Sequence, residues 1–418
     1  MSSESSDGAL FDASASDRLT DSGSPLAGDK DELLVSANSE QQPTLSVVMP
    51  TLNEEDGITE CIQRIKTAIA ELGVPTEIII SDSSTDRTPE IARDLGAIVV
   101  EPDQPGYGYA YQYAFEQTRG TYIAMGDADT TYDFEELPKL LRYLRKEDAD
   151  IVMGSRLDGE IKPGAMPNLH QYVGNPLLTK FLNAFYDAGV SDAHSGFRVF
   201  TRDAFEAMEF ETSGMEFASE MIMDASVKDL AIEEVPITYH EREGEATLDS
   251  FQDGWRHVKF MLLNAPGYLF SIPGLVMASS GLLLMFLAFF GYEMNFGPIA
   301  NQQVGVRTMV AGSLLTIVGY QVASKGVFAT ISGDPIRRPE DRVTNWIVNR
   351  LSVERGALLG LVILSIGIGY SGYLLFQWWT GGYGALPTLT HDIAAFTAIV
   401  IGVQTVFSAF FMSAVANR

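Results

Sequence analysis

The chain reads as two fold classes joined end to end: an α/β domain with a mostly parallel sheet over residues 43–250, then an α-helical membrane domain over 267–418. Three observations predict this. Between about residues 45 and 239 short apolar runs alternate with helical patterns, the βαβα order that builds a parallel sheet with helices on both faces. From residue 268 onward four apolar stretches each exceed twenty residues. The polar residues able to carry chemistry fall just after the apolar runs, at the carboxyl ends of the expected strands, where such sheets bind ligands.

Residues 1–42 come first. They are rich in Ser, Asp, Gly and Ala, with almost no aromatics and no apolar period, and read as a disordered acidic tail rather than a targeting segment. Strands are expected at 45–49, 77–81, 97–101, 122–125 and 150–153, with helices near 54–72, 88–95, 109–118 and 134–146. Pro89 lies just inside the second helix, where a missing N–H costs little. Cys61, the single cysteine, excludes an intramolecular disulfide and a cysteine-only zinc site, and reads as a small buried hydrophobe. Residues 251–266 open with an amphipathic pattern (Phe251, Trp255, Arg256, Val258, Lys259, Met261) that fits a helix lying at a membrane surface or an ordinary packing helix.

The apolar stretches cover about 268–292, 308–331, 356–379 and 393–415. As helices each is roughly 35 Å long against a hydrocarbon core of about 30 Å, so four membrane spans are expected. Arg337, Arg338, Arg342, Arg350 and Arg355 all lie between the second and third spans, whereas the other two loops hold no Lys or Arg apart from Arg307 at the lip of span two. Positive residues stay cytoplasmic. A multi-pass plasma-membrane protein with the N-terminal domain and both termini in the cytoplasm follows, and Lys325 near the cytoplasmic end of span two can snorkel.

With 55 Asp and Glu against 28 Lys and Arg, the net charge of −27 excludes a generally basic nucleic-acid binder. So acidic a chain, with Arg outnumbering Lys, suits a salt-loving organism in which screening offsets self-repulsion. The most informative stretch is Tyr122-Ile-Ala-Met-Gly-Asp-Ala-Asp129, an apolar run that stops on two carboxylates. Strand alternation would bring Asp127 and Asp129 to one side at the strand's exposed end. Two hard oxygen donors there suit Mg²⁺ or Mn²⁺ shared with a substrate diphosphate, the alternative being a solvated acidic turn.

The motifs at the strand ends carry a resemblance. Pro50-Thr51-Leu52-Asn53-Glu54, Ser81-Asp82-Ser83-Ser84-Thr85-Asp86-Arg87-Thr88 and Asp127-Ala128-Asp129 resemble the family 2 glycosyltransferases, which have the Rossmann-like GT-A fold. Gly154-Ser155-Arg156, Ser195-Gly196-Phe197-Arg198 and Tyr239-His240-Glu241-Arg242-Glu243-Gly244-Glu245 look like the dolichol-phosphate mannose synthase branch, over about residues 45–263. The resemblance implies a donor site made by Pro50, Thr51, Asn53, Glu54, Asp82, Ser84 and Asp127, with Gly106 and Gly108 letting backbone approach the nucleotide. Asp86 serves there or caps the helix that starts at Thr88. The resemblance also implies that Asp127 and Asp129 hold the divalent metal, Asp129 most directly. Two departures stand out: Ser81 replaces a common Asp, and Thr131 stands where relatives often carry Gln, which puts base preference and a third metal ligand in doubt.

For the acceptor, an alcohol needs a general base, whereas a phosphate monoester with its second pKa near 6 is already ionised and needs cations instead. Ser155, Arg156, Ser195, Arg198 and Arg242 could form that anion pocket, Arg156 and Arg198 acting in catalysis beside the two aspartates; each arginine could equally pair with a nearby carboxylate. His194 and His240 could complete a metal shell or be structural histidines, and Glu216 with Glu220 could act as a base or be a solvated helix face. The expectation is a metal-dependent, inverting transfer of a hexose from a UDP- or GDP-sugar to dolichyl or polyprenyl phosphate, with the lipid bilayer as partner, no nucleic acid, and a homo-oligomer left open. Two other readings are a processive polysaccharide synthase and a carrier that binds nucleotide-sugar. The Gln252-Asp-Gly-Trp255-Arg256 order departs from the synthase motif, and the spans hold almost no charge of the kind transport needs.

Overall fold

Four strands whose carboxyl ends meet along one edge set up everything that follows. The structure, a computed structural model, describes residues 32–242, 250–294, 302–303, 305–332, 344, 346, 353–383 and 389–416. Strand β1 (Leu45–Thr51) is buried along almost its whole length, as an interior strand covered on both faces must be. It is flanked in parallel by β2 (Thr76–Asp82) and β4 (Tyr122–Met125), and β3 (Ile98–Val100) extends the β2 side. The chain runs outward through β2 and β3 and then returns to the other side of β1. The β1–β4 boundary is therefore the topological switch point, the crevice where α/β sheets bind ligands.

Beyond β4 the sheet departs from the parallel pattern. The full order is β3-β2-β1-β4-β6-β5-β7, with β5 (Ile151–Ile161), β6 (Arg198–Thr201) and β7 (Ile232–Tyr239). Strand β6 is antiparallel to both β4 and β5, and β5 pairs with β7 in parallel. Because β6 runs backwards, it begins where its neighbours end, with Arg198 opposite both Met125 and Met153. The motifs at the ends of β1, β2, β4 and β7, the one just before β6, and Gly154-Ser155-Arg156, which lies inside β5 beyond the part paired with β6 because that strand runs on to Ile161 rather than ending at 153, thus share one edge.

Helices cover both faces. Helix α1 (Ile58–Leu72) turns Ile58, Cys61, Ile62, Ile65, Ala68 and Ile69 into the core, the i, i+3, i+4 stripe of an amphipathic helix, and stops at Gly73, whose φ of 63° allows its N–H to reach the Ile69 carbonyl. Burial raises the Cys61 thiol to about 12, as its place in the core demands. On the same face lie α2 (Thr88–Asp94) and α4 (Leu137–Glu147); on the other lie α3 (Tyr107–Phe115), α5 (Asn175–Tyr186) and α7 (Phe217–Val227), while α6 (Arg202–Ala207) follows β6.

The expected tail over residues 1–42 requires correction at its end. Residues 33–35 lie alongside β2: the Val35 N–H donates to the Thr76 carbonyl at 2.8 Å, and Val35 is buried. Arg119 clasps the carbonyls of Ser36 and Ser39. Residues 1–31 fall outside the described residues.

Helix α8 (Ser250–Asn264) leads from the α/β domain towards the membrane helices α9 (Ile272–Phe289), α10 (Val306–Ser332), α11 (Val353–Thr380) and α12 (Leu389–Ala416). Four segments, Gly267–Phe289, Val306–Thr330, Glu354–Thr380 and Leu389–Ala414, are long and apolar enough to cross a bilayer. They pack as antiparallel pairs through small residues. A Cβ on Gly281 would stand 2.5 Å from the Thr316 nitrogen, and one on Gly402 2.5 Å from the Leu364 nitrogen, so the backbones touch where side chains are absent. Ser313 and Thr397 share a 2.7 Å hydrogen bond between the two pairs. Of the basic loop, Arg355 heads α11, while Arg337, Arg338, Arg342 and Arg350 lie outside the described residues.

Candidate active site

The two aspartates sit one step beyond the place that strand alternation assigns them. Strand β4 ends at Met125, and Asp127 and Asp129 lie in the turn that follows, where Thr130 adopts φ 64°. For a β-branched residue that conformation is a genuine outlier, and such strain collects at functional sites. The turn, not the strand pleat, aims the two carboxylates. Asp129 Oδ1 accepts from the Thr131 N–H at 3.2 Å and hydroxyl at 2.5 Å; its Oδ2 lies 3.6 Å from Arg242 Nε. Asp127 Oδ1 accepts from Tyr107 Oη at 2.8 Å and Tyr111 Oη at 3.3 Å.

Desolvation and the neighbouring Asp129 raise the Asp127 carboxyl to about 6. Its hydrogen bonds come from neutral hydroxyls, and these do not offset the loss of water. A desolvated carboxylate pressed against a second one is a donor set that a hard divalent cation would relieve, so Asp127 and Asp129 fit Mg²⁺ or Mn²⁺. A third ligand is not assembled: among the described residues no group of three or more His, Cys, Asp or Glu side chains is placed to hold a metal ion. His240 is tied to the same turn, its backbone N–H donating to the Thr131 carbonyl at 2.9 Å, while its Nε2 is buried without a partner among the described residues.

This arrangement has a pH signature. In the cation-free protein the Asp127 pKa stands above its ordinary 3.8, so the native state holds the extra proton. The stability this group contributes is therefore present below about pH 4 and is lost as pH rises through about 6. Added Mn²⁺ should reverse the slope above pH 6, because proton and metal compete for one carboxylate. Thermal unfolding from pH 4 to 8, with and without Mn²⁺, checks this; an Asp127→Asn profile as steep as the parent would refute it.

The donor motifs interlock. Asn53, at φ 59°, donates its N–H to Ser84 Oγ at 2.8 Å and accepts from the Thr85 N–H at 2.8 Å, joining the loops after β1 and β2. Asp82 accepts from Thr51 Oγ1 at 2.7 Å and from the Ser84 N–H at 3.3 Å, so part of its accepting capacity holds its own loop. Asp86 accepts from the Thr88 N–H at 3.0 Å and from the Glu55 N–H at 3.2 Å, tying the two loops together, while the N-cap position of α2 falls to Arg87, which makes no side-chain cap bond. Pro50 closes β1 beside Thr51. Glu54 reaches across the switch point to Arg242 Nη2 at 3.0 Å, and desolvation raises its carboxyl above the usual range.

Three expectations meet corrections. Gly108 is buried and does not open onto the crevice, whereas Gly106 is exposed and only its Cβ side is closed. A Cβ on Gly106 would strike the Ser213 carbonyl and one on Gly108 would come 2.5 Å from the Thr212 carbonyl; the Gly108 N–H donates to Ser213 at 3.0 Å, so the Cβ sides of both glycines admit the 212–214 backbone. Arg156 is not a spare cation. Its guanidinium forms a two-pronged pair with buried Asp192, Nε–Oδ2 2.7 Å and Nη2–Oδ1 2.8 Å, and lies over the Tyr239 ring. That pairing outweighs burial, holding Arg156 charged and Asp192 below the usual carboxylate range. Glu220 is neither base nor solvated face: it is buried and accepts from the N–H groups of Glu211 and Thr212, both at 2.9 Å.

The remaining anion-pocket residues divide. Ser155 Oγ lies 2.7 Å from Ser191 Oγ. Arg198 is fully buried, donates to the Ser195 and Ala193 carbonyls at 2.9 and 3.0 Å, and forms no ion pair among the described residues; burial lowers its pKa to about 10. Its Nη1 and the Ser195 Oγ are buried with no partner among the described residues. Sequence reasoning missed Tyr107, Tyr111 and Asp192. The i, i+4 spacing of the two tyrosines was a visible signal; for Asp192, thirty-six residues from Arg156, there was none.

Fold and site together define a membrane-anchored transferase of the GT-A fold. Residues 46–208 match the model described as "Glycosyl transferase family 2" and residues 327–416 the one described as "Glycosyltransferase family 2 C-terminal transmembrane region". The chain is 59% identical over 387 residues, 93% of this chain and 92% of the relative, to the "Low-salt glycan biosynthesis hexosyltransferase Agl6" of Haloferax volcanii. It is 36% identical over 216 residues, 50% of this chain and 89% of the relative, to the "Dolichyl-phosphate hexose transferase" of the same organism. Among solved structures, glucosyl-3-phosphoglycerate synthase from Mycobacterium tuberculosis, crystallised with Mn²⁺, UDP and glucosyl-3-phosphoglycerate, overlaps at a TM-score of 0.43 with 26% identity, covering 53% of this chain and 79% of that one. The chain belongs to glycosyltransferase family 2 and is a multi-pass membrane enzyme.

Proposed function

We propose that this enzyme transfers a hexose from a UDP- or GDP-sugar to dolichyl or polyprenyl phosphate at the cytoplasmic face of the membrane, inverting the anomeric carbon and supplying lipid-linked sugar for glycan assembly. The observation that carries this reading is the desolvated Asp127–Asp129 pair at the switch-point edge, in a chain continuous with four spans. The named activities of the two Haloferax relatives support the sugar and the lipid. Bound at the aspartates, the divalent cation supplies charge neutralisation to the departing diphosphate.

The chain's own residues do the rest. Asp127 and Asp129 hold the cation, and Tyr107 and Tyr111 hold Asp127 in place. Asn53, Ser84 and Asp82 fix the loops that bound the donor. Among the arginines, Arg242 is the partly exposed one at the crevice, its guanidinium shared between Glu54 and Asp129, and it is the group best placed to meet an anionic headgroup. Among the described residues Arg198 Nη1 and Ser195 Oγ keep unspent donors. A phosphate acceptor is already ionised, in keeping with Glu220 being committed to the 211–212 backbone.

Membranes containing the protein, incubated with a panel of labelled UDP- and GDP-hexoses, should place label in organic-extractable lipid that mild acid releases as sugar. Labelled polymer would establish the synthase reading instead, and bound nucleotide-sugar without any transfer would establish the carrier reading.

A further inference from the structure

Ser219, in α7, has its hydroxyl between two imidazoles: 3.1 Å from His194 Nε2 and 3.0 Å from His257 Nδ1, with the two rings edge to face at 4.9 Å between centroids. The three residues come from unrelated parts of the chain. His194 belongs to the loop that leads into β6, Ser219 to a helix buried in the α/β core, and His257 to α8, the helix that runs into the first membrane span.

Hydrogen-bond logic gives the chain a direction. His194 Nδ1 is buried with no partner among the described residues, so the proton belongs on Nε2 and is donated to Ser219 Oγ. The Ser219 hydroxyl then donates to His257 Nδ1. Desolvation pushes His194 down to about 3, which keeps it neutral.

Both ends of the chain connect to something that matters. Two residues beyond His194, the Gly196 backbone closes over Asp127: a Cβ there would lie 3.1 Å from Asp127 Oδ2 and 3.4 Å from Tyr107 Oη, and the Gly196 N–H donates to Tyr132 Oη at 2.7 Å. Arg198 holds the Ala193 and Ser195 carbonyls from beneath. At the other end, Met261 of α8 is buried in the core, while Trp255 and Leu263 are 60% exposed. Helix α8 is thus docked on the α/β domain along one side and leaves apolar groups free on another, immediately before the first span.

We propose that His257 and Ser219 are positioning residues: through His194 they tie the membrane-proximal helix α8 to the 192–197 loop, so that the seating of α8 sets the place of the Gly196 backbone against the metal-binding Asp127.

The test is made on the full chain in lipid vesicles with His257→Ala, His257→Asn and Ser219→Ala. Asparagine keeps an acceptor close to the Nδ1 position; alanine does not. Amide exchange in peptides spanning 191–198 should speed up by about tenfold in both alanine variants, with the β1–β4 strands unchanged and asparagine restoring protection. The activity arm rests on the proposed hexose transfer: kcat should fall by about tenfold or more, since misplacing reacting groups by an ångström can cost a hundredfold, with the donor KM unchanged. Unaltered exchange in residues 191–198 of both alanine variants would overturn the proposal, as would faster exchange throughout the α/β domain or failure of asparagine to rescue. Localised exchange changes in a protein whose parent forms no glycolipid would uphold the tie and overturn the transferase reading.

Discussion

Alanine in place of Asp129 is expected to lower hexose transfer by about a thousandfold or more, since a metal clamp on the leaving group contributes several kcal/mol to the transition state and each 1.4 kcal/mol is a factor of ten. Folding should survive. Among the described residues the Asp129 side chain has its polar contacts with its own turn, at Thr131, and with the partly exposed Arg242, which keeps Glu54 as a partner. The measurement is transfer to lipid alongside thermal unfolding of the same preparation, with Mn²⁺ affinity by calorimetry. An enzyme that still turned over at a tenth of the parental rate would remove the aspartate pair from the chemistry.

The second large effect falls on stability. Arg156→Ala should cost about 3–5 kcal/mol, because it strands the Asp192 carboxylate, wholly buried, without its counter-charge. Removing both partners in Arg156→Met/Asp192→Leu should cost markedly less, the remaining loss being the bond that the buried Arg156 backbone N–H makes to Asp192 Oδ2 at 3.0 Å. Arg156→Lys should fall between, since an ammonium cannot make the two-pronged contact. Urea unfolding at fixed high salt reads these differences. A variant as stable as the parent but with weakened lipid-phosphate affinity would return Arg156 to the acceptor pocket and overturn the ion-pair assignment.

These two residues mark the boundary of what local pattern can reveal. Asp127 and Asp129 were legible because a strand and the turn after it are contiguous in the chain, so an apolar run ending on carboxylates identifies itself. The same holds for Asn53 after β1 and Asp82 at the end of β2. Even there a turn with Thr130 at positive φ, rather than the strand pleat, aims the carboxylates, and a β-branched residue conceals that turn. Arg156 was legible only as a cation. Its meaning depended on Asp192, which arrives from the loop before β6, and nothing near Arg156 announces it. Gly108 looked like room for a ligand, but that room is filled by the backbone of residues 212–214.

The amino-acid order alone determined the alternation of strands and helices, the placing of the polar motifs at strand ends and the four apolar spans, because each follows from the hydrophobic period of a short contiguous stretch. The tertiary structure decided that β6 enters the sheet backwards, which carboxylate neutralises which guanidinium, and which hydroxyls hold Asp127. Those outcomes depend on segments distant in the chain meeting in a low-dielectric interior, where a buried charge or donor must find its partner wherever the fold supplies one.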